Sequence, residues 1–132
     1  MKKILFTFIS ILAVYSAFSQ NNDSFDKFYS ILIKVESGGK TNSIGDNGRA
    51  IGPAQIHKVY WQDATSFDKS IGGKYEDCFR LDYSKKIVRA YMNRYCKNGT
   101  WEEMARCHNS GWNWRKKYNL TNSYWRKFQK NS

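Results

Sequence analysis

The stretch Phe25-Asp26-Lys27-Phe28-Tyr29-Ser30-Ile31-Leu32-Ile33-Lys34-Val35-Glu36-Ser37-Gly38-Gly39 decides how this chain folds. The spacing of Phe25, Phe28, Ile31, Leu32 and Val35 predicts a helix from about Ser24 to Ser37 with one apolar stripe. Asp23 or Ser24 can cap its first N–H groups, and Gly38-Gly39 stops it. Asp26, Lys27, Ser30 and Lys34 share the wet face. Glu36 breaks that division. At helical pitch it falls about 20° from Phe25, on the core side of the last turn. Removing a carboxyl from water favours its neutral form, so an acid in this position needs a reason.

Outward from this helix, Asn42 to Gly48 is turn chemistry, and Asn47-Gly48 predicts a small, irregular β-hairpin carrying Asp46 in a polar setting. Pro53 suits the first turn of a second helix running to about Ala64, with Ile56, Val59 and Tyr60 inward. Thr65 to Lys74 reads as loop. A helix from about Asp82 to Cys96 turns Ile87, Val88, Tyr91, Met92 and Tyr95 inward. Thr100-Trp101-Glu102-Glu103 is a capping box opening a short helix that ends near His108. A last helix holds Tyr124, Trp125 and Phe128, and Trp112 and Trp114 are expected to pack. The expected class is α+β, mostly α, with about five to six helices and one small hairpin.

Composition narrows the function classes. The chain has 132 residues, the size of one domain. Its aromatic share of 17% argues against a disordered basic tail. Residues 1–19 read as a secretory leader: Lys2 and Lys3, an apolar run over 4–18, then small residues at Ala17 and Ser19. That run is short of the roughly 20 residues needed to span a bilayer. Cleavage near Ser19/Gln20 would leave residues 20–132 as a single domain outside the cytoplasm. The whole chain carries a net charge of +11. Such a charge suits an anionic partner such as a cell-wall surface. An oxidising compartment favours one disulfide among Cys78, Cys96 and Cys107, with the pairing left open. Three scattered cysteines with His57 and His108 do not make a structural zinc site.

A helix ending in a desolvated Glu, followed by a polar turn carrying Asp, suggests glycoside hydrolysis. One carboxyl donates a proton to the leaving oxygen, while a second, ionised one supports the developing oxocarbenium ion. Glu36 and Asp46 fit those two roles.

These residues sit within a longer pattern: Glu36-Ser37-Gly38, Ile44-Gly45-Asp46-Asn47-Gly48, Ile51-Gly52-Pro53-Ala54-Gln55-Ile56, Ala90-Tyr91-Met92 with Arg94-Tyr95, Ala105-Arg106-Cys107-His108-Asn109-Ser110-Gly111, and Tyr124-Trp125. In that order and spacing the chain resembles the lysozyme superfamily, most closely the invertebrate-type (destabilase-like) lysozymes and their bacterial relatives. The likeness runs from about Phe25 to Gln129. It implies a lysozyme-like fold with a catalytic cleft, Glu36 as general acid and Asp46 as the second acid. It also implies substrate contacts from Ser37, Gln55, Tyr91, His108 and Asn109. The substrate class is peptidoglycan or a related amino-sugar polymer, with no metal or cofactor, no nucleic acid, and a monomeric enzyme. This chain departs from those enzymes in its few cysteines and in reading His-Asn-Ser-Gly-Trp after the fourth helix. Two other readings stay open: a lytic transglycosylase working from Glu36 alone, and a cationic, non-catalytic wall- or membrane-binding protein on the same scaffold.

Overall fold

The computed structural model describes residues 23–132. The predicted leader and its cleavage point lie outside the described residues. Helix α1, described over 23–37, buries Phe25, Phe28, Ile31, Leu32 and Val35, the stripe read from the sequence. Gly38 and Gly39 end it at φ of 66° and 81°, where a Cβ would be strained, with N–H bonds back to Lys34 O and Ile33 O. A three-stranded antiparallel sheet follows: β1 (Ile44–Gly45), β2 (Ala50–Ile51) and β3 (Ile56–His57). Ile44 pairs with Ile51, and Ile51 with Ile56. The β1–β2 turn is the Asp46–Gly48 element, as Asn47-Gly48 predicts.

The second helix differs from expectation. Pro53 does not open it. Gly52 to Gln55 is a tight turn, and Ile56 joins the sheet as β3; helix α2 then runs Lys58–Phe67. The turn needs positive φ at Gly52 (78°) and Gln55 (50°), which a helix start does not allow. A Cβ on Gly52 would lie 2.0 Å from the Cys78 carbonyl oxygen, so this backbone packs against the Tyr75–Phe79 3-10 turn. Starting the helix five residues later rotates its faces. Val59, expected inward, is exposed, whereas Ala64 is buried.

Helix α3 (Leu81–Tyr95) buries Ile87, Val88, Tyr91 and Met92 as its periodicity requires. Helix α4 (Trp101–Ser110) opens on the predicted capping box: Glu103 N–H donates to Thr100 Oγ1 at 3.2 Å, and Thr100 N–H to Glu103 Oε2 at 2.8 Å. Helix α5 (Asn122–Gln129) closes the fold over α1, with the rings of Phe28 and Phe128 5.3 Å apart. Arg106 lies in the α4 core face, charged and nearly inaccessible. Its guanidinium is satisfied by Glu102 Oε1, Tyr118 O, Thr121 Oγ1 and Asn122 Oδ1, all within 2.9 Å. The expected α+β, mostly helical, lysozyme-like fold is the one observed. Among the described residues, no helix is long and apolar enough to cross a membrane.

Candidate functional site

Glu36 ends up where three elements meet. Its side chain is 17% exposed. Tyr124, on α5, donates its phenol to Glu36 Oε1 at 2.5 Å. Three residues on from Tyr124, Lys127 Nζ donates to Val35 O at 2.8 Å, so α5 is tied to the end of α1 at two points. His108, on α4, places Nε2 3.5 Å from the same carboxylate oxygen. Both polar contacts therefore use the same carboxylate oxygen, Oε1. Burial holds the Tyr124 phenol well above its ordinary pKa, helped by the adjacent carboxylate, so Tyr124 stays a donor.

The tautomer of His108 follows from its partners. Nε2 lies 2.9 Å from Ala54 O, and a carbonyl oxygen only accepts, so Nε2 carries hydrogen. Nδ1 lies 3.1 Å from Tyr60 Oη. Burial pushes the Tyr60 phenol well up, so it keeps its proton and donates to Nδ1. Burial likewise lowers the imidazole pKa below its ordinary value, against the pull of Glu36. The ring is neutral, with both nitrogens engaged and its orientation set. Tyr60 stacks on Tyr91 with centroids 3.6 Å apart and planes 11° from parallel.

A groove of about 620 Å³ opens beside this cluster, and Gln55, Tyr91, His108 and Asn109 are among its walls. Four of the five predicted substrate-contact residues thus line one cleft. Tyr91, however, is 3% exposed and contributes mainly as a support. Ser37 is not on the wall: its Oγ donates to Pro53 O at 2.8 Å, pinning α1 to the turn before β3. Gln55, at positive φ, donates to Gly52 O at 2.9 Å and sets its amide oxygen against the bare face of Gly45. Glu36 does not line the groove directly. It stands beside His108, which does.

Asp46 belongs to a separate cluster at the hairpin. Its Oδ1 receives Arg49 Nη2 at 2.8 Å, and its Oδ2 lies 3.2 Å from His57 Nε2. His57 lines the groove, so the hairpin carboxylate reaches the cleft through it. A second cavity, of about 490 Å³, lies between the start of α1 and the start of α4, and its walls hold neither carboxyl nor imidazole.

Several site residues escape the sequence reading. Tyr60 and His57 carry no motif of their own. Asp63 also lines the groove, held by Tyr95 Oη at 3.2 Å. Trp112 and Trp114, expected to pack as a pair, are divided: Trp114 is buried, and Trp112 is 61% exposed on the groove wall. Periodicity could not separate them, because Trp112 lies in the turn before the Trp114–Thr121 3-10 element and shares no helix face with Trp114.

No curated protein matches this chain. The family model described as Destabilase matches residues 27–131, which takes in most of α1, the sheet and every site residue described above. The chain belongs to the Destabilase family, whose members are lysozyme-like, invertebrate-type hydrolases.

Proposed function

We propose that the protein is a secreted muramidase that cleaves the β-1,4 bond between MurNAc and GlcNAc in peptidoglycan. The observation that carries this reading is the Glu36 carboxyl, largely withdrawn from water between Tyr124 and His108, in a chain of a lysozyme-like family. Glu36 delivers a proton to the glycosidic oxygen as the bond to the anomeric carbon breaks. Neutral His108 keeps the carboxyl from being held in an ion pair, and Tyr124 fixes its rotation. Asp46, held by Arg49 and His57, supports the positive charge that develops on the sugar or directs water to it. The net charge of +11 favours adsorption to an anionic wall, and lysis should weaken as salt screens that attraction. Turbidity loss of cell walls with wild type and Glu36→Gln tests the assignment; equal lysis by both would overturn it. Sequencing the N-terminus of protein recovered outside the cell tests the leader, with Gln20 as the expected first residue.

One observation favours a second reading. Both oxygens of Asp46 are already engaged, by Arg49 and His57, as they would be for a residue with no direct role. A transglycosylase working from Glu36 alone would release 1,6-anhydroMurNAc, whereas hydrolysis leaves a reducing MurNAc end. Product analysis separates the two.

A further inference from the structure

We propose that Trp112 is the stacking platform of the groove, receiving the apolar face of a pyranose ring of an N-acetylated glycan, and that Tyr91 is the residue that positions it. This inference rests on the glycan-cleaving reading above.

The chain has five tryptophans. Trp114 is buried, and Trp61, Trp101 and Trp125 pack against the core. Trp112 differs: it is 61% exposed and lines the groove. Its neighbours on that wall include Asn109, Asn113 and Lys117, which offer amide and ammonium groups. A sugar ring has matching halves. Its axial C–H groups carry slight positive charge and suit the negative face of an indole, while its rim of hydroxyl and acetamido groups needs hydrogen-bond partners. A lipid or an apolar peptide would leave those amides unmatched.

The indole is also held in place. A Cβ placed on Gly111, the residue before Trp112, would lie 3.6 Å from the Tyr91 phenol oxygen, so the backbone that carries the indole rests on that phenol. Tyr91 is buried and stacks on Tyr60, and Tyr60 donates to His108 Nδ1, the ring that faces Glu36. A sugar on Trp112 is thus registered against Glu36 through three consecutive side chains. Preorganised contact of this kind lowers the cost of ordering the loop on binding.

The test is calorimetric titration of the full chain with tri-N-acetylchitotriose, in a Glu36→Gln background that prevents turnover. Trp112→Ala should weaken binding about tenfold, and Trp112→Tyr should stay within about threefold of the parent, because a smaller aromatic face remains. In active protein, Tyr91→Phe should raise KM about threefold with kcat unchanged; a merely structural role would lower the folded fraction, and with it apparent kcat. Unchanged binding by Trp112→Ala overturns the inference, as does a parent that binds no trisaccharide at millimolar concentration. Neither result touches the muramidase reading, which stands or falls on the separate comparison of wall lysis by wild type and Glu36→Gln.

Discussion

Tyr124 Oη donates to Glu36 Oε1 at 2.5 Å, joining the last helix to the end of the first across 88 residues of sequence. This contact and the His108 ring beside it both engage the same carboxylate oxygen. Removing the phenol leaves the carboxyl free to rotate within its niche. Tyr124→Phe should lower kcat on peptidoglycan by up to about 10-fold, the range for losing one hydrogen bond between neutral groups. KM should move little, because Tyr124 does not line the groove. Steady-state kinetics on soluble wall fragments measures both.

His108 links the site to stability. Its pKa is lowered in the folded protein by burial, while in the unfolded chain it returns to about 6.5. Between those two values the unfolded state binds more protons, so acidification favours unfolding. The contribution is fully present above pH 6.5 and is lost as pH falls toward the folded value. Urea midpoints measured from pH 7.5 down to 5 should fall for wild type and fall less steeply for His108→Gln, which has no imidazole to charge. Parallel slopes for the two proteins would refute the assignment.

Arg106 is a charge sealed into α4 with every partner supplied by the protein. It draws the Glu102 pKa below the ordinary carboxylate range by hydrogen bonding. Arg106→Ala would take the donor from Thr121 Oγ1 and Asn122 Oδ1 and leave Glu102 without its cation, while the Tyr118 carbonyl keeps only the Thr121 hydroxyl. The expected loss is about 3–5 kcal/mol, seen as a fall in Tm of more than about 10 °C.

The thiols of Cys96 and Cys107 lie close enough to influence each other's ionisation, whereas Cys78 is buried elsewhere, against the turn at Gly52. All three are free thiols in this structure. The neighbouring Cys107 thiol lowers the Cys96 pKa, while burial pushes Cys78 up to about 12. With oxidised glutathione, the Cys96 thiolate should attack its disulfide and release one glutathione thiolate. Cys107 then displaces the second glutathione, so two thiols are oxidised as one glutathione disulfide is reduced. Peptide mapping should find Cys96 joined to Cys107, with Cys78 as the remaining thiol. The cross-link closes a short loop and should stabilise the fold by about 2–3 kcal/mol. A Cys78-containing bridge would contradict this.

Much of the scaffold is legible in the chain because its signals are local. The α1 stripe, the stop at Gly38-Gly39, the Asn47-Gly48 turn and the Thr100 capping box each depend on residues within one or two turns of each other. The second helix was not legible in the same way. Pro53 is compatible with a helix start and with a turn, and the choice rests on a distant backbone: the Cys78 carbonyl packed against Gly52, and Ile56 paired with Ile51. Val59 changed face as a consequence.

The position of Glu36 on an apolar stripe at a helix end could be deduced from helical geometry alone, since pitch and residue type settle it. Its partners could not. Tyr124, His108 and Tyr60 arrive from three other helices, and no spacing rule relates residue 36 to residue 124. The same holds for the exposure of Trp112 against the burial of Trp114, and for the pairing of Asp46 with His57 rather than with Glu36. Short-range hydrogen bonding and periodic burial are written into neighbouring residues. Long-range packing is decided only when the whole core closes, because it depends on which faces remain after every element has found a partner.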